Sequence, residues 1–176
     1  MCGRILLATP VAELGRVFGF PERPNLGPRY NIAPTQDIAA VRRAEDGRHL
    51  ALLRWGLVPH WADSPAIGAR MINARAESVA DKPAFRNAFR QRRCLIPADG
   101  FYEWQAADGG RRKQPYAIRR PDGAPFAMAG LWERWPGPKG GPLPAPLESV
   151  TVVTTTANAA LAHLHDRMPV VLDPAD

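Results

Sequence analysis

Short apolar runs alternate with breaks rich in Gly, Pro and Asp along most of the chain. Ile5–Leu7 reads as a short strand beginning almost at the terminus. Thr9-Pro10 then reads as an N-cap followed by proline at the first helical position, with Val11, Leu14, Val17 and Phe18 on one face and Gly19 as the stop. Residues 21–30 form an irregular, proline-bearing connection leading to Tyr30-Asn31-Ile32-Ala33-Pro34-Thr35. Ile38–Val41 and Leu50–Trp55 flank Asp46-Gly47 as a hairpin. Met71–Ser78 alternates in strand fashion, with Asn73, Arg75 and Glu77 on one side, a solvated edge or the floor of a site. Lys82–Arg90 has helical spacing through Phe85 and Phe89. Arg93–Gly100 is a buried strand ending in a turn, and Phe101–Gln105 is the next strand. Gln114–Ile118 and Phe126–Ala129, separated by Asp122-Gly123, predict a second hairpin that continues through Gly130–Glu133. After a low-complexity loop at residues 136–146, Val150–Thr154 resumes the sheet and Asn158–Leu164 predicts a short helix leading to His165.

Composition narrows this to an ordinary globular chain: 176 residues, 45% hydrophobic and 23% charged, enough for one domain with a single core. No apolar run approaches the ~18 residues of a membrane span, and no basic region followed by an apolar stretch marks a leader, so a soluble cytoplasmic protein and a monomer are the expectations. Cys2 and Cys94 are the only cysteines, which argues against a disulfide scaffold. The net charge of +6 calls for an anionic partner, nucleic acid being the commonest. Of 23 basic residues only Lys82, Lys113 and Lys139 are lysines, and arginine forks match phosphates and stack on bases. A GC-rich genome would inflate Arg, Ala, Gly and Pro together, so arginine content alone does not decide. No Gly-rich phosphate loop and no zinc-like Cys/His spacing appears, and neither a metal nor a nucleotide cofactor is expected.

The chemistry concentrates at Met1-Cys2-Gly3-Arg4. Removal of Met1 leaves a cysteine with a free α-amine and a thiol on adjacent carbons. The amine titrates near pH ~8 and the thiol near ~8.5, lower in a cationic setting. With an aldehyde the pair closes to a five-membered thiazolidine; with an amide, sulfur is the nucleophile and the amine the base. Glu103 stands out as a carboxylate among Phe101, Tyr102 and Trp104. Buried beside those rings it would titrate toward neutrality and suit proton transfer, whereas on a half-exposed strand it would face water. In Trp55-Gly56-Leu57-Val58-Pro59-His60-Trp61 the two indoles read as core anchors or base-stacking groups, Trp61 being the better stacking candidate. The run Arg86, Arg90, Arg92, Arg93 reads first as an exposed helix face. In His165-Asp166-Arg167-Met168-Pro169-Val170 a turn could hold the imidazole in one tautomer.

In this order, Met1-Cys2-Gly3-Arg4, Asn31-Ile32-Ala33-Pro34, the Trp55–Trp61 loop, Ile72-Asn73-Ala74-Arg75-Ala76-Glu77, Cys94–Trp104 and His165–Val170 make the chain resemble the SOS response-associated peptidase family. The blocks cover nearly the whole chain, and their co-occurrence is far more specific than any one of them. The resemblance implies a single α+β domain over residues 1–176, with a curved, barrel-like, mostly antiparallel β core, short flanking helices and a groove for single-stranded DNA. It implies covalent capture of abasic sites through the processed N-terminal cysteine as a thiazolidine DNA–protein crosslink. Removal of Met1, by a methionine aminopeptidase or by self-cleavage, and a lyase activity go with it, as does association with the nucleoid when DNA is bound. By matching motif, Cys2 is the nucleophile, Asn73 positions the terminus and the opened sugar, Glu103 handles protons, and His165 assists ring opening or reversal. Arg4 and Arg75 would contact phosphate, Trp61 would act as a stacking wedge, and Arg86 and Arg167 would add DNA contacts. Family members usually run some tens of residues past the His-Asp-Arg-Met-Pro strand, so the resemblance also implies a fragment or a chain without that element. The rival reading is an N-terminal-nucleophile amidohydrolase or protease using Cys2 with Glu103 or His165; a third is a basic module that only coats single strands.

Overall fold

A computed structural model describes residues 2–106 and 113–173. Its core is a closed ring of strands. These are β3 (Asp37–Ala44), β4 (Gly47–Trp55), β6 (Arg93–Ala98), β9 (Phe126–Trp135) and β10 (Leu147–Thr156). The ladders run β10–β4–β3–β6–β9 and β9 pairs again with β10, so the sheet returns on itself as a small barrel. Only the β10–β4 contact within the ring is parallel. β10 also takes up β5 (Asn73–Arg75) in parallel and β11 (Arg167–Pro169) antiparallel, while β12 (Val171–Leu172) adds to β9. A second, four-stranded sheet runs β2 (Arg29–Ile32), β1 (Ile5–Leu7), β7 (Gly100–Ala106), β8 (Lys113–Ile118).

Strand alternation sorts the core into a lumen and an outer wall. Ile38, Ala40, Leu53, Trp55, Ile96, Ala98, Met128, Val150 and Val152 fill the barrel, and Ile5, Ile32 and Phe101 from the four-stranded sheet plug one end together with Cys2. Their neighbours of opposite parity, Leu131 and Val153, pack outside against Phe85 and Ala88, where helix α2 (Arg86–Gln91) sits. Helix α1 (Val11–Phe18) buries Val11, Leu14 and Phe18 against Val41 on another part of that wall. Gly19 stops α1 as expected, at φ 73° with its amide donating to the Gly15 carbonyl.

Several expectations need correction. Thr9 does not cap α1, because its hydroxyl and amide both go to the buried Asp99 carboxylate, at 2.6 and 2.8 Å; Pro10 takes the cap position without a side-chain bond. Val17 is exposed rather than part of the buried face. The first hairpin turns one residue early, with Ala44 opposite Gly47. The second hairpin does not form. The Asp122-Gly123 turn is present, but β8 pairs with β7 and β9 with β6, so the turn carries the chain from one sheet to the other. The alternation over Met71–Ser78 gives a strand only at β5, and Glu77 lies in the turn that follows. α2 begins only at Arg86, after a turn at residues 82–85. Residues 158–164 form consecutive turns instead of a helix; the Asn158 side chain accepts the Leu161 amide and competes with helical bonding. The strand Arg29–Ile32, paired with β1, begins inside the connection expected to be irregular over residues 21–30.

Asp99 sits between β6 and β7, where the chain leaves the barrel for the other sheet, and its carboxylate accepts from the Ala8 amide at 2.6 Å as well as from Thr9. Asp99→Ala would leave those donors without their charged acceptor. An equilibrium urea titration should show a loss of about 3 kcal/mol, and a loss under about 1 kcal/mol would contradict this pinning role.

Candidate active site at the barrel mouth

Cys2 is fully buried where the four-stranded sheet closes the barrel. β1 pairs with both β2 and β7, and the Tyr102 amide donates to the Arg4 carbonyl at 3.0 Å, so Cys2 is held at the end of an interior strand rather than on a loose tail. Asn73 completes the hold: its Nδ2 donates to the Cys2 carbonyl at 2.9 Å, while its Oδ1 is buried with no acceptor bond among the described residues. Asn73 is itself set by the loop before it. The Trp55 indole N–H donates to the Ile72 carbonyl at 2.9 Å, the Gly56 amide donates to Val150 and the Leu57 amide to Met71. Gly56 lies at φ 123°, where a Cβ would stand 2.5 Å from the Gly68 carbonyl oxygen, so only glycine fits this crossing.

Glu103, 5% exposed, points with Phe101 from β7 into the same junction. Burial, reinforced by the nearby Glu103 carboxylate, pushes the Cys2 thiol well above the ordinary thiol range, although the Arg4 amide donates to the sulfur. Cys94 lies within the same core, free and buried, its thiol pushed up to about 12 by burial.

His165 lies on the 158–166 turns, whose Leu161 packs on the Cys2 core and whose His163 carbonyl accepts from Gln105 of β7 at 3.4 Å. Its Nδ1 faces both the Arg167 amide at 3.0 Å and Asp166 Oδ1 at 2.7 Å, and one nitrogen cannot accept from the first and donate to the second at once. Asp166 is largely exposed, so the amide contact decides; Nδ1 accepts and Nε2 carries the proton. Arg75 is exposed two residues from Asn73, opposite Thr154. Arg167 flanks the same threonine but is already engaged, with a two-pronged pair to Glu77 at 2.8 and 2.9 Å and a bond to the Thr154 carbonyl at 2.7 Å. Arg4 is half-buried beside Cys2.

Cys2, Asn73 and Glu103 are thus brought together, with Arg4, Arg75, Arg167 and the His165 turns around them. Trp61 is half exposed at the end of the Trp55–Trp61 loop, whereas Trp55 is buried as a core anchor. Arg86 is exposed on α2, which packs on the outer wall behind the Cys2 lumen. Met1, whose removal would free the Cys2 amine, lies outside the described residues. Sequence reasoning assigned no role to Asp99, Gln105 or the Trp55 N–H; Asp99-Gly100 after a buried strand was the one visible signal. Among the described residues no cluster of His, Cys, Asp and Glu is placed to hold a metal ion, and no helix is long and apolar enough to cross a membrane.

The model of the family described as SOS response associated peptidase (SRAP) matches residues 1–176. The chain belongs to this family. Abasic site processing protein YoaM of Bacillus subtilis is 42% identical over 175 residues, an alignment covering 98% of this chain and 75% of YoaM. Abasic site processing protein YedK of Escherichia coli is 33% identical over 182 residues, covering 99% of this chain and 76% of YedK. A crystal structure of a protein from Bacteroides thetaiotaomicron superposes with a TM-score of 0.86 at 24% identity, over 98% of this chain and 77% of that one, and shows the shared SRAP fold. A phage-related protein from Bordetella bronchiseptica gives 0.73 at 34% identity, over 99% and 78%.

The Arg167–Glu77 pair joins β11 to the turn after β5. The Arg167 guanidinium holds the Glu77 carboxyl down at about 2, from an ordinary value of 4.5. Because the folded value is depressed, this contribution to stability is present above about pH 4.5 and is lost as pH falls toward about 2. The melting-temperature difference between the native chain and Glu77→Gln should therefore shrink as pH is lowered through that window. A difference independent of pH would contradict the assignment.

Proposed function

We propose that this chain captures abasic sites in single-stranded DNA by a covalent bond to Cys2 once Met1 has been removed. The observation that carries the reading is the placement of Cys2 itself, fully buried, tied to Asn73 through its carbonyl and set beside the Glu103 carboxylate. Membership of the family and the names of its abasic site processing relatives support the same substrate.

The chemistry of an aminothiol meeting an aldehyde sets the order of events. The freed α-amine adds first to C1′ of the ring-opened deoxyribose aldehyde, and loss of one water gives an imine. The sulfur then adds to that carbon, its proton leaving to Glu103 and a proton returning to the nitrogen, so that C1′ ends with one C–N and one C–S bond in a thiazolidine. Asn73 offers Oδ1 to the amine or to the opened sugar. His165, through Nε2–H, assists ring opening and the reverse reaction. At the imine stage the C2′ protons are acidified, and a base at Glu103 or His165 would make the chain a lyase. Release of Met1 is a separate hydrolysis at the Met1–Cys2 amide, and self-cleavage there would be the peptidase activity.

Arg4 and Arg75 contact phosphates beside the lesion, Trp61 stacks on a base further along, and Arg86 adds charge from the outer wall. Arg167 contributes mainly by holding Thr154 and Glu77 in place. A single strand suits the site because it bends at the missing base without an unpairing cost. Capture would serve to shield abasic sites during the response to DNA damage, a DNA-repair role in the cytoplasm at the nucleoid.

Denaturing electrophoresis of processed protein with an oligonucleotide holding one abasic site should give a heat-stable shifted band, absent with intact DNA. Cys2→Ala should keep single-strand binding and lose the band, and Glu103→Gln should slow its formation on the order of 10²-fold. A Cys2→Ala band of full intensity would overturn the reading.

A further inference from the structure

The strand that carries Glu103 also makes a contact that places His165. Gln105 shares the strand parity of Phe101 and Glu103, so all three leave β7 on the face that meets the Cys2 core, with Gln105 about 7 Å along from Glu103. Its Nε2 donates to the His163 carbonyl at 3.4 Å, and its Oε1 accepts from the Tyr116 hydroxyl at 3.1 Å. The orientation of the amide follows from these partners. A backbone carbonyl only accepts, so the NH2 end must face His163, and the amide oxygen is left for the phenol to donate to. Tyr116 is delivered by β8, where it stands opposite Glu103 in the β7–β8 ladder.

The segment before His165 needs such a contact. Residues 158–164 are turns, mostly exposed, with Leu161 packed on the core. Their own hydrogen bonds are local: the Leu164 and His165 amides both donate to the Leu161 carbonyl, at 2.9 and 3.1 Å. On the other side the imidazole Nδ1 accepts the Arg167 amide two residues on. Local bonds give the turn its shape without fixing its place relative to β7, and turns with few buried contacts open easily. Gln105 supplies that reference. We infer that Gln105, oriented by Tyr116, is a positioning residue that sets His165 against the deoxyribose held at Cys2. The assignment rests on the capture of abasic sites proposed above. One strand then places both the Glu103 carboxylate and the imidazole around the same sugar, where a misplacement of about 1 Å costs on the order of 10²-fold in rate.

Two measurements on the whole chain, with Met1 removed, test this. One is hydrogen–deuterium exchange of the Leu164 and His165 amides, followed by NMR; the other is the single-turnover rate of the heat-stable band with an oligonucleotide holding one abasic site. Gln105→Ala should speed exchange by about fivefold or more and slow the band by about ten- to a hundredfold. Gln105→Glu keeps the shape of the side chain but has no N–H for the His163 carbonyl, and should slow the band as much. Tyr116→Phe, at an exposed side chain, should act in the same direction and by less, with circular dichroism native. In a His165→Ala chain the further change Gln105→Ala should alter the rate by less than about twofold, because the group it positions is gone. Native exchange or a native rate in Gln105→Ala, a native rate in Gln105→Glu, or the full Gln105 effect persisting without His165 would each overturn the inference while capture itself stands. A native chain that gives no band would overturn capture, and this assignment with it.

Discussion

The Asn73 hydrogen bond to the Cys2 carbonyl is the constraint on which the site depends. The first residues of a domain ordinarily fray, yet here the second residue is fully buried and reached by a side chain 71 positions away. That contact is the last of a series. Barrel closure aligns β10, β10 receives β5, the Trp55–Leu57 crossing fixes Ile72, and Ile72 sets Asn73. From the other side Asp99 ties the end of β1 to the bend between the two sheets. Cys2 is thereby placed by the whole fold, not by its neighbours in sequence.

Holding a cysteine so deeply has a chemical consequence. Desolvation and the Glu103 carboxylate both oppose ionisation of the thiol, so the resting sulfur is protonated. A nucleophile acting alone as thiolate would be poorly served by such a site. A sulfur that acts second, after an amine has formed an imine and with a carboxylate at hand to take its proton, is served well. The same arrangement disfavours oxidation of the thiol, which requires thiolate and access.

What could be read from the sequence was what local pattern determines. The strand at Ile5, the α1 stop at Gly19, the β3–β4 hairpin and the buried run after Arg93 all follow from spacing within a few residues. What could not be read was decided by distant partners. β8 joins β7 because β9 is already paired with β6 over Phe126–Leu131 and with β12 and β10 on its other edge, a choice invisible in the Asp122-Gly123 turn. Glu77 leaves the strand alternation to meet Arg167, 90 residues on, and Thr9 gives up a capping role to Asp99 across a similar distance. The site divides in the same way. Cys2 stood out by position and Glu103 by its aromatic company, whereas the Asn73 contact was reached only through resemblance. The setting of the thiol could not be read locally, since the carboxylate beside it arrives from a strand a hundred residues away.

The central claim is that the N-terminal aminothiol of Cys2 is the group that reacts. The most direct measurement is tandem mass spectrometry of the tryptic and nuclease-trimmed product formed with abasic single-stranded DNA. The account predicts a deoxyribose-phosphate adduct on the Cys2-Gly3-Arg4 peptide, without Met1, with neither its amine nor its thiol open to alkylation. An adduct on a lysine or on Cys94, or on a peptide that still carries Met1, would contradict it.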